Sequence, residues 1–175
     1  GTTVSTAETY TFTATGDRTL VAAFEETSQY VSGVDWWASN LPVSAYWYDV
    51  TYGNGKFVAI SGYTSNITAY STDGINWTTG ALPSFTKSWQ SVVYGDGKFV
   101  AVASNVSKAA YSTDGVNWTE TTLPSSANWT SVTFGDGKFV AIASGTSKAA
   151  YSADGIRWTA ATLPSSASWS ITYGN

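Results

Sequence analysis

Hydrophobic positions along this chain come in short runs. Stretches of four to seven apolar or β-branched residues alternate with clusters of Gly, Asp, Asn and Ser, which read as strands separated by turns. The segment 89–128 shows the pattern clearly. Strands are predicted over 89–94, 98–104, 109–112 and 116–122, with Gly95-Asp96-Gly97 as a hairpin turn, 105–108 as a loop and Thr113-Asp114-Gly115 as a second turn. Phe99 to Ala103 is apolar almost without a break, as expected of a strand covered on both faces. Small alanines between larger residues suit sheets that stack closely.

The pattern repeats. Trp47, Trp89, Trp129 and Trp169 recur at spacings of 42, 40 and 40 residues. Gly55-Lys56-Phe57-Val58-Ala59 returns at 97–101 and 137–141, and Tyr70-Ser71-Thr72-Asp73-Gly74 returns at 111–115 and, with Ala153, at 151–155. Leu-Pro closes each unit at 82–83, 123–124 and 163–164. Four short strands per period of about 40 residues is the signature of a β-propeller blade. The predicted fold is therefore all-β, a partial propeller of four-stranded antiparallel blades at about 47–88, 89–128 and 129–168. Its phase leaves two orphan strands within 28–175. Residues 34–42 align with a fourth strand and 169–175 with a first strand. Residues 1–27 stand outside the repeat, and Thr9–Ala14 with Thr19–Phe24 around Gly16-Asp17 read as a β-hairpin. An arc of three blades predicts either an excerpt of a longer polypeptide or closure with another copy.

Composition narrows the function. Charged residues make up 11% of the chain and the net charge is −4. Six lysines and two arginines spread along it form no basic stripe, which argues against nucleic acid. No apolar run approaches the ~20 residues of a membrane span. The chain has no Cys, His or Met, so it lacks thiolate metal sites, a thiol nucleophile and the usual general base near neutral pH. A polar surface of Ser, Thr, Asn and Gly suits a protein outside the cell.

Two resemblances follow from these motifs. Tyr70 to Trp77 and its copies resemble the Asp-box turns of sialidase-like propellers, and most closely bacterial and phage propeller repeats with Gly-Lys-Phe-Val-Ala and Tyr-Ser-Thr-Asp-Gly. The match spans about 140 residues, and the turn is one residue shorter between Asp and Gly than the usual Asp-box. Val4 to Glu25 is similar to the end of a divergent internalin-B-type bacterial repeat, with the second half of that module present. Both resemblances imply large surface, secreted or virion proteins, hence an extracellular, cell-surface or virion-surface location.

Candidate chemistry is sparse. Asp73, Asp114 and Asp154 recur once per blade; a ring of carboxylates for metal or acid–base work is weighed against an Asx role in each turn, and the turn role is expected. One carboxylate per blade does not give the pair about 5–9.5 Å apart that glycoside hydrolysis requires. The sialidase resemblance implies an arginine cluster and a tyrosine nucleophile, and Arg18 and Arg157 stand in unrelated contexts. The sequence thus predicts no enzyme, no cofactor and no metal site. Trp37 and Tyr48 fall outside the repeated aromatic positions. Binding is expected in the strand 2–3 and strand 4–1 loops, which open on one face of a propeller, with Tyr63, Asn66, Asn105, Lys108 and Lys148 as candidate ligand contacts. The leading expectation is a non-catalytic extracellular or virion module for adhesion, glycan binding or assembly, with a glycan or cell-surface ligand, further copies of itself or the rest of a longer chain as partners. The alternatives are a structural filament or spacer that closes with neighbouring chains by strand pairing, and a fragment of a carbohydrate-active enzyme whose active site lies in missing blades.

Overall fold

In the computed structural model, the chain divides into two units, Gly1–Trp37 and Ala38–Asn175. The structure describes residues 38–63, 66–84 and 88–173. The N-terminal hairpin and the first part of the orphan segment 34–42 lie outside the described residues, as does Trp37.

The described unit is all-β. In chain order the strands are β1 (Trp47–Gly53), β2 (Lys56–Ser61), β3 (Ile67–Ser71), β4 (Thr78–Ala81), β5 (Trp89–Gly95), β6 (Lys98–Ser112), β7 (Thr119–Gly135), β8 (Lys138–Ala143), β9 (Thr146–Ser152) and β10 (Thr159–Ala167). They form one sheet ordered β1-β2-β3-β4 and another ordered β10-β9-β8-β7-β6-β5, antiparallel throughout. The repeat explains the second sheet. β6 spans the second and third strand positions of its unit, with Asn105 at φ 58° between them. β7 carries the fourth strand of one unit and the first of the next, so two four-stranded blades share it. The architecture is a partial propeller of three blades.

Local sequence sets each turn. Asn54-Gly55, Asp96-Gly97 and Asp136-Gly137 all have two consecutive positive φ values, the type I′ geometry whose twist matches that of the flanking strands. The expected loop 105–108 is mostly strand, because Val106 pairs with Ala127 and Lys108 with Thr122. The fourth strands begin later than the apolar pattern suggests. β7 starts at Thr119 rather than Val116, because the Asp114 carboxylate binds the amides of Val116 and Asn117 and holds them in the turn.

The core lies between blades rather than inside them. One cluster joins Ile60 and Leu82 of blade one to Trp89, Val92, Ala101, Ala103 and Ala110 of blade two. Its copy joins Val102, Ala109 and Leu123 to Trp129, Val132, Ala141, Ala143 and Ala150. At the inner strands the blades touch through glycine. A Cβ on Gly53 would lie 1.9 Å from the Tyr94 ring, one on Gly95 2.1 Å from Phe134, and one on Gly135 2.1 Å from Tyr173. Tyr94 and Phe134 also pack on the phenylalanine of their own blade, with Tyr94–Phe99 and Phe134–Phe139 centroids 4.8 and 4.7 Å apart.

The orphan segments fit this scheme. Ser39 Oγ donates to the Ile75 carbonyl at 2.8 Å, the contact that Thr121 Oγ1 of blade two makes with Ile156 of blade three. Ile171 donates its amide to Ser131 Oγ at 3.3 Å, as Val132 does to Ser91 Oγ. Residues 38–41 therefore sit where a preceding blade's outer strand belongs, and 169–173 where a following blade's inner strand belongs.

The glycine contact makes a stability prediction. Gly95→Ala should cost about 1–3 kcal/mol in urea unfolding, the usual range for overpacking. Adding Phe134→Ala should make the Gly95 substitution close to neutral in a double-mutant cycle, because the atom it strikes is gone. A full Gly95→Ala cost in the Phe134→Ala background would refute the contact.

Candidate functional site

The three blade-tip aspartates share one arrangement. Asp73 Oδ1 accepts from the Ile75 amide (2.8 Å), the Asn76 amide (2.7 Å) and Ser71 Oγ (2.8 Å), while Oδ2 accepts from Asn76 Nδ2 (2.8 Å). Asp114 repeats this set with Val116, Asn117 and Ser112. Asp154 repeats it with Ile156, Arg157 and Ser152, Arg157 Nε replacing the amide side chain at 3.0 Å. The serine closes the motif by accepting from the following glycine amide at 2.9 Å in every copy. These bonds stabilise the ionised form. The Asn76 side-chain amide holds the Asp73 carboxyl well below the usual carboxylate range. The backbone amides of Asn117 and Arg157 do the same, first among several donors, for Asp114 and Asp154. Carboxylates so engaged have few lone pairs left for a ligand.

The loop candidates have different fates. Asn66 Nδ2 donates to the Leu82 carbonyl at 2.9 Å, and the Leu82 amide returns to the Asn66 carbonyl at 2.7 Å. Lys108 is ion-paired with Glu120, and Lys148 Nζ donates to the Ser126 carbonyl at 3.1 Å. Asn105 is exposed within β6. Tyr63 differs from all of these. It has φ 57° at the position where the other units place Asn105 (φ 58°) and Gly145 (φ 74°). A bulky residue rarely adopts this conformation, whereas Asn and Gly tolerate it.

Tyr63 does not stand by itself. Its ring stacks on Tyr46 with centroids 4.8 Å apart and planes inclined by 30°. Tyr48 lies against the backbone of Gly62, where a Cβ would come within 2.4 Å of its ring. All three tyrosines are exposed. Ser88 Oγ links this group to blade two, accepting from the Tyr63 amide at 2.9 Å and from Gln90 Nε2 at 2.8 Å. A cleft of about 450 Å³ opens between Ser44, Tyr46, Tyr63 and Ile67. Beside it runs a polar groove of about 420 Å³ along the inner strands, lined by Tyr48, Gln90, Thr130 and Ser170 among others.

Tyr48, Gln90 and Thr130 each sit at a register shift in their inner strand, between Trp47 and Asp49, Trp89 and Ser91, and Trp129 and Ser131. A β-bulge re-aims a side chain at a fixed point. The structure thus brings Tyr63 together with Tyr46 and Tyr48 and keeps Asn66, Lys108 and Lys148 in framework bonds. The role of Tyr46 escaped the loop-based reading. Comparing the repeat columns 46/88/128, 48/90/130 and 63/105/145 exposes it: blade one carries Tyr in all three, blade two Ser, Gln and Asn, blade three Asn, Thr and Gly. Among the described residues no group of three or more acidic side chains gathers in a way that could hold a metal ion.

No family model matches the chain, and no curated protein matches it. Its fold is similar to several solved structures. Virginiamycin B lyase from Staphylococcus aureus aligns over 70% of this chain and 43% of its own, with TM-score 0.60 and 17% identity. The YCF48 protein, in a structure with a D1 peptide bound, aligns over 67% of this chain and 39% of its own, with TM-score 0.50 and 18% identity. The computationally designed Ika4 protein aligns over 81% of this chain and 88% of its own, with TM-score 0.58 and 11% identity. At these identities the likeness is one of fold, and the chain spans about two fifths of the lyase. The expectation that this chain is not an enzyme is corrected here. Solved structures with this architecture include a lyase, so the repeated blades do not mark the chain as a non-enzyme.

The aspartate turns predict a pH dependence. Their carboxyls titrate lower in the folded chain than the ~3.9 of an unfolded aspartate, so their stabilising contribution is present above about pH 4 and is lost as pH falls towards the folded values. In scanning calorimetry the melting temperature should hold between pH 7 and 5 and fall below about pH 4. Asp114→Ala should lower it by roughly 2–4 °C at pH 7 and shrink the acid-induced fall. An unchanged acid profile in Asp114→Ala would place the pH sensitivity elsewhere.

Proposed function

We propose that this chain is a glycan-recognition module of an extracellular, cell-surface or virion-surface protein, and that blade one carries the binding face. The observation behind this reading is the tyrosine trio. Tyr46, Tyr48 and Tyr63 stand where the other blades carry non-aromatic residues on an otherwise repeated scaffold, and Tyr63 holds a backbone conformation that disfavours it. Backbone strain of about 1–3 kcal/mol is typically kept where function uses it. Exposed tyrosines offer apolar ring faces for the C–H faces of a sugar and hydroxyls for its oxygens. The adjoining cleft, at about 450 Å³, is of ligand-pocket size. Gln90 and Ser170 continue the surface with neutral donors and acceptors, suited to an uncharged saccharide.

The face lies at the ends of the strands where the 4–1 and 2–3 connections meet. Repeated weak contacts there would gain strength when several copies are displayed together. The reading concerns recognition. A reaction on the bound saccharide would appear in the same assay as product formed over time, which is the outcome the likeness to a lyase fold makes worth measuring.

Tyr63→Asn and Tyr63→Gly place at this position the residues found in blades two and three. Titration of the chain with neutral oligosaccharides, read by tyrosine fluorescence or calorimetry, should show binding that falls at least about tenfold in both variants, the scale of a lost aromatic contact of 1.4 kcal/mol or more. Their melting temperatures should stay level or rise, since the strain is relieved. Undiminished binding in both variants, or no saccharide binding by the parent chain, would overturn the proposal.

A further inference from the structure

The three-blade arc leaves matching faces open at its two ends. Val50 is 56% exposed, whereas Val92 and Val132 at the same position are 4% and 5% exposed. Tyr52, the counterpart of half-buried Tyr94 and Phe134, is exposed as well. At the other end Trp169 is 39% exposed, against 1% for Trp89 and Trp129.

Inside the chain each inner strand covers the next by one recurring contact. A polar side chain takes the amide of the following blade's valine or its equivalent: Asp49 Oδ2 holds Val92 N at 2.9 Å, Ser91 Oγ holds Val132 N at 3.3 Å and Ser131 Oγ holds Ile171 N at 3.3 Å. A glycine then receives the following aromatic ring, at Gly53, Gly95 and Gly135. The next member of this series would set 169–173 against Val50 and Tyr52. The sequence after Tyr173 continues with Gly174, as Tyr52 is followed by Gly53.

We propose that a second copy of this chain completes the series, with residues 169–173 of one copy lying along β1 of the next in a head-to-tail contact. The argument is continuity with an interface the chain already builds three times. Both faces are open among the described residues. Residues 38–41 already hold the outer position in front of blade one, through Ser39 and Ile75, and no described residue holds the inner position before exposed Val50. A cavity of about 440 Å³ lined by Leu41, Trp47, Val50 and Trp77 marks the gap. In the single chain Asp49 Oδ1 binds the Val50 amide at 2.9 Å, standing in for the preceding strand that Val92 and Val132 have. A head-to-tail contact uses different surfaces on the two copies, so it closes a ring or extends a filament according to its rotation.

The absence of native cysteine allows a direct test with the full 175-residue chain. Sedimentation should give twice the 18.5 kDa chain mass or a higher multiple. Val50→Cys and Ser170→Cys chains, mixed and oxidised, should form a crosslinked pair that neither forms alone. Val50→Lys should return the mass to that of one chain without lowering the melting temperature, since Val50 is exposed in the single chain. A single-chain mass at every concentration overturns the proposal. So does crosslinking of Val50→Cys with itself, which would indicate a symmetric contact, and so does a crosslink inside one chain in the double variant.

Discussion

Everything in this arc depends on how closely one blade lies on the next. The inner strands approach until a ring rests on bare backbone, and glycine at Gly53, Gly95 and Gly135 permits it. Alanines of the second and third strands pack closely at the same seams, and the buried Trp89 and Trp129 seal them. A four-stranded blade of this kind has little interior of its own. Its stability is a property of neighbours, as in other stacked-repeat proteins. The same constraint explains why valines at equivalent positions differ so widely in exposure: the environment of a residue is set by whether a blade stands on the other side.

Much of this was legible in the sequence. The spacing of Trp47, Trp89 and Trp129, the Gly-Lys-Phe-Val-Ala runs and the Asp-Gly and Asn-Gly turns gave strand number, order and blade phase, because each rests on local chemistry. Strand limits were less legible. Val116 looks like the start of a strand by hydrophobicity, yet the Asp114 carboxylate keeps its amide in the turn. Residues 105–108 look like a loop by composition, yet cross-strand pairing draws most of them into the ladder.

The proposed binding face was half legible. Tyr63 stood out by its place in a strand 2–3 loop, and Tyr48 by falling outside the repeated aromatic positions. Their meeting with Tyr46 depends on the fold, which brings the start of β1 beside the end of β2. The two lysines mark the limit of composition. Composition shows that a charge exists, but not that Lys108 already faces Glu120 or that Lys148 reaches the Ser126 carbonyl. The correction about catalysis has a similar root, since a list of missing residue types says nothing about what a shared architecture carries elsewhere.

The register shift after each leading tryptophan has a wider consequence. The bulged residue is left out of the ladder pairing, so the strand register does not depend on its identity. Tyr, Gln and Thr occupy the slot in successive units without disturbing the strands around them. A duplicated blade therefore arrives with a vacant letter already aimed at the central groove. Chains of this kind can change what they recognise by rewriting that letter, blade by blade, while the scaffold stays as it was.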